Sequence, residues 1–240
     1  MSNAKTDTIR KPPFDVADLR ENLKKFLNTP FDDPVAANKR PIGNFRWGVY
    51  AFFDYDGEPI YVGQTNEMLR TRIRRHLTNQ RTDAVAMSVL DPFEVLEIEV
   101  WPLPQFQDRG AKDSDARKHL NALEFLIVEK AIKESKFSAI LNEKDPLPAA
   151  FVVTLPSSFR AQIVSEHVKK LRSHPDFRTA RRAMITSRLA QVISEREVKG
   201  GLRRVLVTQT KRLQWLAERR FEALGGAKIV ENANEDAAGD

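Results

Sequence analysis

Residues 47–65 read WGVYAFFDYDGEPIYVGQT, and this stretch decides the fold. An apolar, β-prone run covers residues 45–53 and ends at the turn-forming residues 54–59, which contain Asp-Gly. The apolar pattern resumes at residues 60–62. Two such runs around an Asp-Gly turn are typical of an antiparallel hairpin. The stretch therefore predicts a β-hairpin with one Gly and one Tyr in a tripeptide of each strand.

The residues around the hairpin predict helices and one more strand. Apolar residues at helical spacing indicate a helix over residues 15–27, and the Pro-, Asp- and Asn-rich residues 29–43 indicate a loop. A basic amphipathic helix follows the hairpin over residues 68–77. Alternating apolar residues over 93–101 predict a third strand, and residues 115–133 predict a long helix.

Beyond residue 156 the pattern predicts helices only. Ser157 or Ser158 would cap the first, which would stop before Pro175, and two longer helices would end at Gly-Gly pairs. The predicted fold class is therefore α+β: a small three-stranded antiparallel sheet flanked by helices, with an all-α C-terminal region. We expect an N-terminal arm with one helix (1–44), an α+β domain (45–150), a basic helical region (151–228) and a disordered acidic tail (229–240).

The composition excludes several classes of protein. The 240-residue chain has no Cys, so it has no disulfide, thiolate nucleophile or Cys-ligated zinc site. It contains no apolar run of the roughly 20 residues that span a bilayer, and its first residues lack the apolar core of a signal peptide. The default expectation is cytoplasmic, with no membrane partner. Neither GxxxxGK[ST] nor GxGxxG occurs, which disfavours a nucleotide cofactor.

The positive charge is concentrated in one region. The net charge is +6, yet residues 160–228 alone carry 12 Arg and 5 Lys against 6 acidic residues. Lys and Arg bind polyanions by releasing the counterions of their phosphates, so the region indicates a nucleic-acid partner. A solvated, Arg-rich helical face is the alternative interpretation of the same charge.

Two tripeptides in the hairpin carry a resemblance to a known family. Gly48-Val49-Tyr50 and Tyr61-Val62-Gly63 resemble the two signatures of the GIY-YIG nuclease superfamily. That family places Leu-x-x-Arg in the next helix, which Leu69 and Arg72 match, and many members carry a His one turn later, which matches His76.

Two further family positions lie downstream. Glu124 sits in a Leu-Glu-x-x-Leu-Ile-like context within the long predicted helix, and Asn142 is the candidate for the Asn that closes the family domain. The sequence departs from the family in having Val for Ile in both signatures. The spacing from Glu124 to Asn142 is also longer than in compact members, and the usual Pro before the Asn is missing.

The resemblance implies a metal-dependent endonuclease that hydrolyses DNA phosphodiester bonds. By this resemblance, Tyr50 would be the general base, Tyr61 and His76 would position water or relay its proton, and Arg72 would clamp the scissile phosphate. Glu124 would hold a single Mg²⁺, for which Mn²⁺ substitutes, and Asn142 completes the site. A domain with one active site cuts one strand at a time, so double-strand cleavage would require a homodimer or sequential nicking.

Basic residues outside this set are candidate DNA-phosphate contacts. They fall in the helix after the hairpin and in the C-terminal helices: Arg70, Arg74, Arg75, Arg178, Arg181, Arg182, Arg188, Arg203, Arg204, Lys211 and Arg212. The chief alternative is a non-cleaving nucleic-acid-binding protein that keeps the fold. A third interpretation makes the C-terminal helices a protein–protein interface through a leucine-rich, coiled-coil-like face, although intramolecular packing explains the same leucines.

Overall fold

The computed structural model describes residues 14–78 and 89–228. The first helix, α1, spans Phe14–Asn28 and buries the apolar face predicted for residues 15–27. The predicted acidic tail and the first 13 residues lie outside the described ranges. Among the described helices, none combines the length and apolarity needed to cross a membrane.

Residues 29–43 form a small hairpin rather than the predicted loop. Strand β1 (Pro30–Asp33) pairs antiparallel with β2 (Asn38–Pro41). The carboxylate of Asp33 accepts hydrogen bonds from the backbone N–H groups of the turn, and Ala37 takes a positive φ of 51°. Side-chain capping of this kind lets a short polar segment turn back on itself, and the strands are too short to carry an alternating apolar pattern.

The main sheet confirms the predicted α+β class. Strand β3 (Gly48–Phe53) pairs with β4 (Pro59–Thr65), and β5 (Glu97–Pro102) pairs with the other side of β3. The hairpin turns where Asp54 Oδ1 accepts the N–H groups of Asp56 and Glu58 and where Gly57 adopts a φ of 72°. All neighbouring strands are antiparallel.

A fourth strand corrects two details of the prediction. Strand β6 (Phe159–Gln162) pairs with β5, so the described sheet has four strands in the order β4-β3-β5-β6. The helix predicted to start at Ser157 or Ser158 begins instead at Glu166, where Ser165 caps it, and it ends before Pro175 as predicted. The C-terminal region is therefore not all-α. Arg160 pairs with Glu97 at 2.6 Å and lies 3.5 Å from the centre of the Phe53 ring. These cross-strand contacts hold the segment extended, and they come from residues distant in sequence.

The helices cover both faces of this sheet. They are α2 (Leu69–Leu77), α3 (Ser114–Glu134), α4 (Glu166–Arg172), α5 (Pro175–Glu195) and α6 (Gly200–Ala223). Helix α3 packs on the face that carries Trp47, Val49 and Ala51. The opposite face, which carries Tyr50 and Phe52, packs against α1 and α2 and joins the core that includes residues of α5 and α6. Leucines of α6 therefore contribute to intramolecular packing.

A buried cluster of charged side chains fastens the C-terminal helices to the hairpin turn. The carboxylate of Asp54 is 1% exposed, and its Oδ2 accepts hydrogen bonds from Arg178, Arg182 and Arg212 at 3.3, 2.8 and 2.7 Å. Arg182 also pairs with Glu94 at 2.8 Å. Much of the C-terminal arginine charge is consequently internal, and the basic helices and the hairpin form one packed structure.

Candidate active site

A cleft of about 630 Å³ opens beside strand β4, at the edge of the sheet. Five of the six predicted catalytic residues line it: Tyr61, Arg72, His76, Glu124 and Asn142. They reach it from β4, α2, α3 and the segment after α3. The exposed edge of the sheet lets α2 on one face and α3 on the other contribute side chains to the same space.

The sixth residue, Tyr50, lies directly beneath this cleft. Its side chain is fully buried, and its hydroxyl has no hydrogen-bond partner of ordinary geometry among the described residues. Tyr50 stands opposite Gly63 in the hairpin register, so a Cβ at Gly63 would lie 2.5 Å from the Tyr50 hydroxyl oxygen. Because Gly63 has no side chain, the Tyr50 phenol can occupy this space.

Three aromatic rings of the site pack together. The ring centres of Tyr50 and His76 are 5.8 Å apart, those of Tyr61 and His76 are 5.2 Å apart, and those of the two tyrosines are 6.3 Å apart. Both tyrosines belong to the sheet face covered by α2, because each pairs with a residue of that face across the hairpin. His76 is one helical turn after Arg72, which places both over the tyrosines.

Burial and neighbouring opposite charges shift the pKa values of Tyr50 and Arg72 in opposite directions. Burial disfavours the charged form of each group, and an oppositely charged neighbour favours it. Burial raises the pKa of Tyr50 well above 10.0, the Tyr61 phenol raises it further, and Arg72 lowers it. Although burial lowers the pKa of Arg72, the two tyrosines and Glu67 outweigh it, so the guanidinium is held firmly in its charged form. Arg72 is thus the group that favours a phenolate at this place.

Glu124 faces the same cleft from α3. The side chain is half-buried, and this desolvation raises its pKa from 4.5 to about 7, while Arg72 opposes the shift. Within residues 14–78 and 89–228, no three His, Asp or Glu side chains converge as a ready-made metal centre. A single desolvated carboxylate open to a cleft fits a hard cation such as Mg²⁺, which retains several water ligands.

Asn142 has a positioning role. Its amide nitrogen donates to the Val62 carbonyl at 2.8 Å, and its amide oxygen accepts from the Val62 N–H at 3.0 Å. The side chain thereby imitates a neighbouring strand along the open edge of β4, and the N–H of Leu141 extends the pairing to the Ile60 carbonyl. Asn142 fixes the strand segment that carries Tyr61 and Gly63, and both of its polar atoms are used in doing so.

Residues 46–109 match the family model of the GIY-YIG catalytic domain. This segment of the chain is similar to that family. The match covers the hairpin, α2 and the third strand, which include Tyr50, Tyr61, Arg72 and His76, and it ends before α3. No curated protein and no solved structure matches the chain.

This match confirms the family resemblance of the two tripeptides. A GIY-YIG domain implies nuclease activity on a nucleic acid. Glu124 and Asn142 lie outside the matched residues, so their roles depend on the geometry above. Gly48, the first glycine of the signature, also has a structural cause. A Cβ there would lie 2.8 Å from the backbone oxygen of Trp101 on β5.

The structure divides the predicted DNA contacts into two groups. Arg178, Arg182 and Arg212 are buried in the Asp54 cluster, and Arg181 binds Asp91 through two hydrogen bonds of 2.6 and 3.0 Å. Because these four guanidinium groups bind carboxylates of the protein, the four arginines are structural residues and not the predicted DNA contacts. Residue spacing does not distinguish them from solvent-facing arginines, since their carboxylate partners are about 90–160 positions away in sequence.

The other predicted contacts remain at the surface. Arg188, Arg203 and Lys211 are exposed, while Arg70 and Arg74 are partly exposed on α2. The rest have surface partners: Arg75 pairs with Glu67 at 2.7 Å, and Arg204 pairs with Asp145 at 2.8 Å.

Filling the space above Tyr50 should lower both cleavage and stability. In a Gly63→Ala variant the new methyl group collides with the Tyr50 phenol, so we expect cleavage to fall by about 100-fold or more and stability by about 1–3 kcal/mol. Activity and urea unfolding, measured on the same preparation, check this. Gly110→Ala is the matched control because no atom lies within 4 Å of its Cβ position. Wild-type cleavage by Gly63→Ala would contradict the packing described above.

The raised pKa of Glu124 predicts a pH-dependent loss of stability. Its carboxylate is harder to ionise in the folded chain than in the unfolded chain, so ionisation costs folding free energy progressively as pH rises from 4.5 to about 7. Without divalent cations, Glu124→Gln should be more stable than wild type by about 1–3 kcal/mol at pH 8, and equal to it near pH 4. Urea unfolding in EDTA at both pH values measures this, and an equal difference at both would refute it.

Proposed function

We propose that the chain is a metal-dependent endonuclease that hydrolyses DNA phosphodiester bonds. The observation that carries the proposal is the convergence of Tyr61, Arg72, His76 and Glu124 on one cleft, directly above the buried Tyr50 hydroxyl. A protein that only binds DNA does not require a desolvated phenol, a guanidinium and a desolvated carboxylate around one cleft. Hydrolysis of a phosphodiester requires a base, a phosphate clamp and a way to offset the charge that develops.

Tyr50 is proposed as the general base that takes a proton from the attacking water. Its hydroxyl lies beside the Arg72 guanidinium and the Tyr61 phenol and makes no hydrogen bond of ordinary geometry among the described residues, so we propose that it accepts a hydrogen bond from water held by the substrate. Ionisation is the difficult step, because burial raises the pKa of the phenol. The nearby guanidinium of Arg72 lowers the pKa of the phenol. Tyr61 and His76 pack against the ring and are proposed to carry the proton onward.

Arg72 is also the proposed phosphate clamp. It lines the cleft while its Nε is buried without a hydrogen-bond partner in the described structure. A planar guanidinium can donate two parallel hydrogen bonds to a phosphate, which places the phosphorus atom close to the Tyr50 and Tyr61 phenols. The same residue would thus hold the substrate and favour ionisation of the base.

Glu124 is proposed as the protein ligand of the divalent cation. When bound, Mg²⁺ or Mn²⁺ would act as a Lewis acid that polarises phosphate oxygens and stabilises the leaving group. The role of Glu124 itself is to present a carboxylate from the rigid middle of α3. Its pKa of about 7 means that cation binding must compete with a proton near neutral pH.

Substrate binding is proposed to extend beyond the cleft to the surface arginines. Arg188 and Arg203 lie on α5 and α6, and Arg70 and Arg74 lie on α2 beside the site. The basic helices are packed against the catalytic sheet through the Asp54 cluster, so we propose that they bind DNA as part of one rigid body. With one site per chain, the proposed product is a nick, and double-strand cuts require a dimer or two successive events.

Nicking of supercoiled plasmid tests the proposal. Wild-type protein with Mg²⁺ or Mn²⁺ should produce nicked circles, whereas EDTA and the Glu124→Ala variant should leave the plasmid supercoiled. DNA that is bound but never cut would favour the non-cleaving alternative. Cleavage by Glu124→Ala at the wild-type rate would refute the metal-ligand assignment.

A further inference from the structure

A second, strongly basic groove continues from the catalytic cleft. It has a volume of about 540 Å³, and its lining includes Lys112, Arg117 and Lys118 with no carboxylate. It shares Gln64 and Leu147 with the catalytic cleft, so the two are contiguous at the end of β4. None of these three cations belongs to the arginine-rich C-terminal region.

The cations of this groove are available to a ligand. All three are exposed, and among the described residues Arg117 and Lys112 have no ion-pair partner, in contrast to the buried arginines of the Asp54 cluster. Lys118 has only a 3.9 Å contact with the exposed Asp115. Cations near the start of a helix are disfavoured by the helix dipole, so the stability of α3 gives no reason for Arg117 and Lys118 to be there.

Helix geometry aligns the groove with the catalytic carboxylate. Residues 117, 121 and 124 lie on one face of α3, and Asn121 accepts a hydrogen bond of 3.0 Å from the Gln64 amide, which fixes the junction between β4 and α3. Arg117 precedes Glu124 by two turns, or about 10 Å along the axis at 1.5 Å per residue. Phosphates of one strand rise about 3.4 Å per nucleotide along the duplex axis and also wind around it, so a span of about 10 Å corresponds to at most about three nucleotides.

We propose that Arg117, with Lys118 and Lys112, binds backbone phosphates of the substrate strand about two to three nucleotides from the scissile bond. This inference rests on the proposed function and specifies how that function positions its substrate. The groove fixes the strand beside Glu124 and β4, and the Gln64–Asn121 pair forms the floor between the two phosphate positions. These are positioning residues, because they contact the substrate away from the reacting atoms.

The test is the salt dependence of DNA binding by full-length protein in EDTA, with a short duplex as the probe. Arg117→Gln/Lys118→Gln should bind about ten-fold more weakly, and its slope of log K against log salt should be smaller by about 2. In Mg²⁺, KM should rise while kcat stays within about two-fold of wild type. Lys130→Gln/Lys133→Gln is the matched control, since it removes two exposed lysines from the far end of the same helix and should leave the slope unchanged.

Neutral phosphate analogues show which phosphate of the strand Arg117 contacts. A methylphosphonate two or three nucleotides from the cut should weaken wild-type binding and have little further effect on Arg117→Gln. If wild type cuts DNA but Arg117→Gln/Lys118→Gln keeps the wild-type slope, this inference is overturned and the proposed function stands. If the slope of Arg117→Gln/Lys118→Gln is smaller by about 2 but wild type never cuts, the nuclease proposal fails and the phosphate contact is supported. Wild type that neither binds nor cuts DNA overturns both.

Discussion

Replacing Asp54 by Asn should destabilise the protein by about 3–5 kcal/mol, although the substitution is at the tip of a hairpin. Asn keeps the Oδ1 acceptor that holds the turn N–H groups of Asp56 and Glu58, but its amide NH₂ replaces the charged Oδ2 acceptor of the three arginines. Arg212 is then left fully buried with no carboxylate within hydrogen-bond distance in the described structure. An unpaired buried guanidinium carries most of its desolvation penalty.

Urea unfolding followed by tryptophan fluorescence measures this effect, because Trp215 on α6 packs 6.1 Å from Phe137 and reports on that helix. Asp32→Asn is the matched control, since its 3.7 Å pair with Lys39 is exposed and should contribute less than about 1 kcal/mol. Adding Arg212→Met to Asp54→Asn should restore part of the lost stability. A loss below about 1 kcal/mol for Asp54→Asn would show that the cluster does not hold the helices in place.

Replacing Tyr50 by Phe should reduce the rate of cleavage by about 10²–10⁴-fold, with DNA affinity retained, because a general base contributes on this scale. The substitution removes one buried hydroxyl that makes no ordinary hydrogen bond among the described residues, so the fold should be unaffected. Single-turnover cleavage with saturating enzyme separates the rate from binding.

Tyr55→Phe is the matched control. Its hydroxyl is also buried without a partner of ordinary geometry, and burial also raises its pKa, but its charged neighbours are Arg172, Arg178 and Asp15 rather than the residues of the cleft. Tyr55→Phe should therefore cleave at the wild-type rate. Since the pKa of Tyr50 is raised, wild-type cleavage should also increase with pH across the alkaline range. Unchanged turnover by Tyr50→Phe would remove this residue as the base.

The parts of the fold that the sequence predicts are those with local signals. The hairpin, the helix with Arg72 and the long helix with Glu124 all show their periodicity within a single segment, and the structure places them as expected. Strand β6 could not be predicted, because Phe159–Gln162 is extended only through pairing with β5 some 60 residues earlier. Charge density predicts DNA contacts for the C-terminal arginines, but it does not distinguish a buried ion pair from a solvent-facing cation.

The active site also combines features that a local sequence pattern predicts with features that depend on distant contacts. Sequence resemblance selected Tyr50, Tyr61, Arg72 and His76, and the structure groups them through hairpin register and one turn of helix. What the resemblance did not supply is the reason for each residue. Gly63 leaves room for a phenol, and Asn142 completes the edge of a strand. Both reasons depend on contacts across strands or across 80 positions of sequence, which no local pattern contains.

The most direct test of the central claim is mass spectrometry of DNA ends produced by the wild-type protein in H₂¹⁸O with Mg²⁺. If Tyr50 activates water for in-line attack with departure of the 3′ oxygen, every cut should have a 3′-hydroxyl and a 5′-phosphate, and that phosphate should carry one heavy oxygen. Uncut DNA, or 3′-phosphate ends that carry the heavy oxygen, would contradict the account.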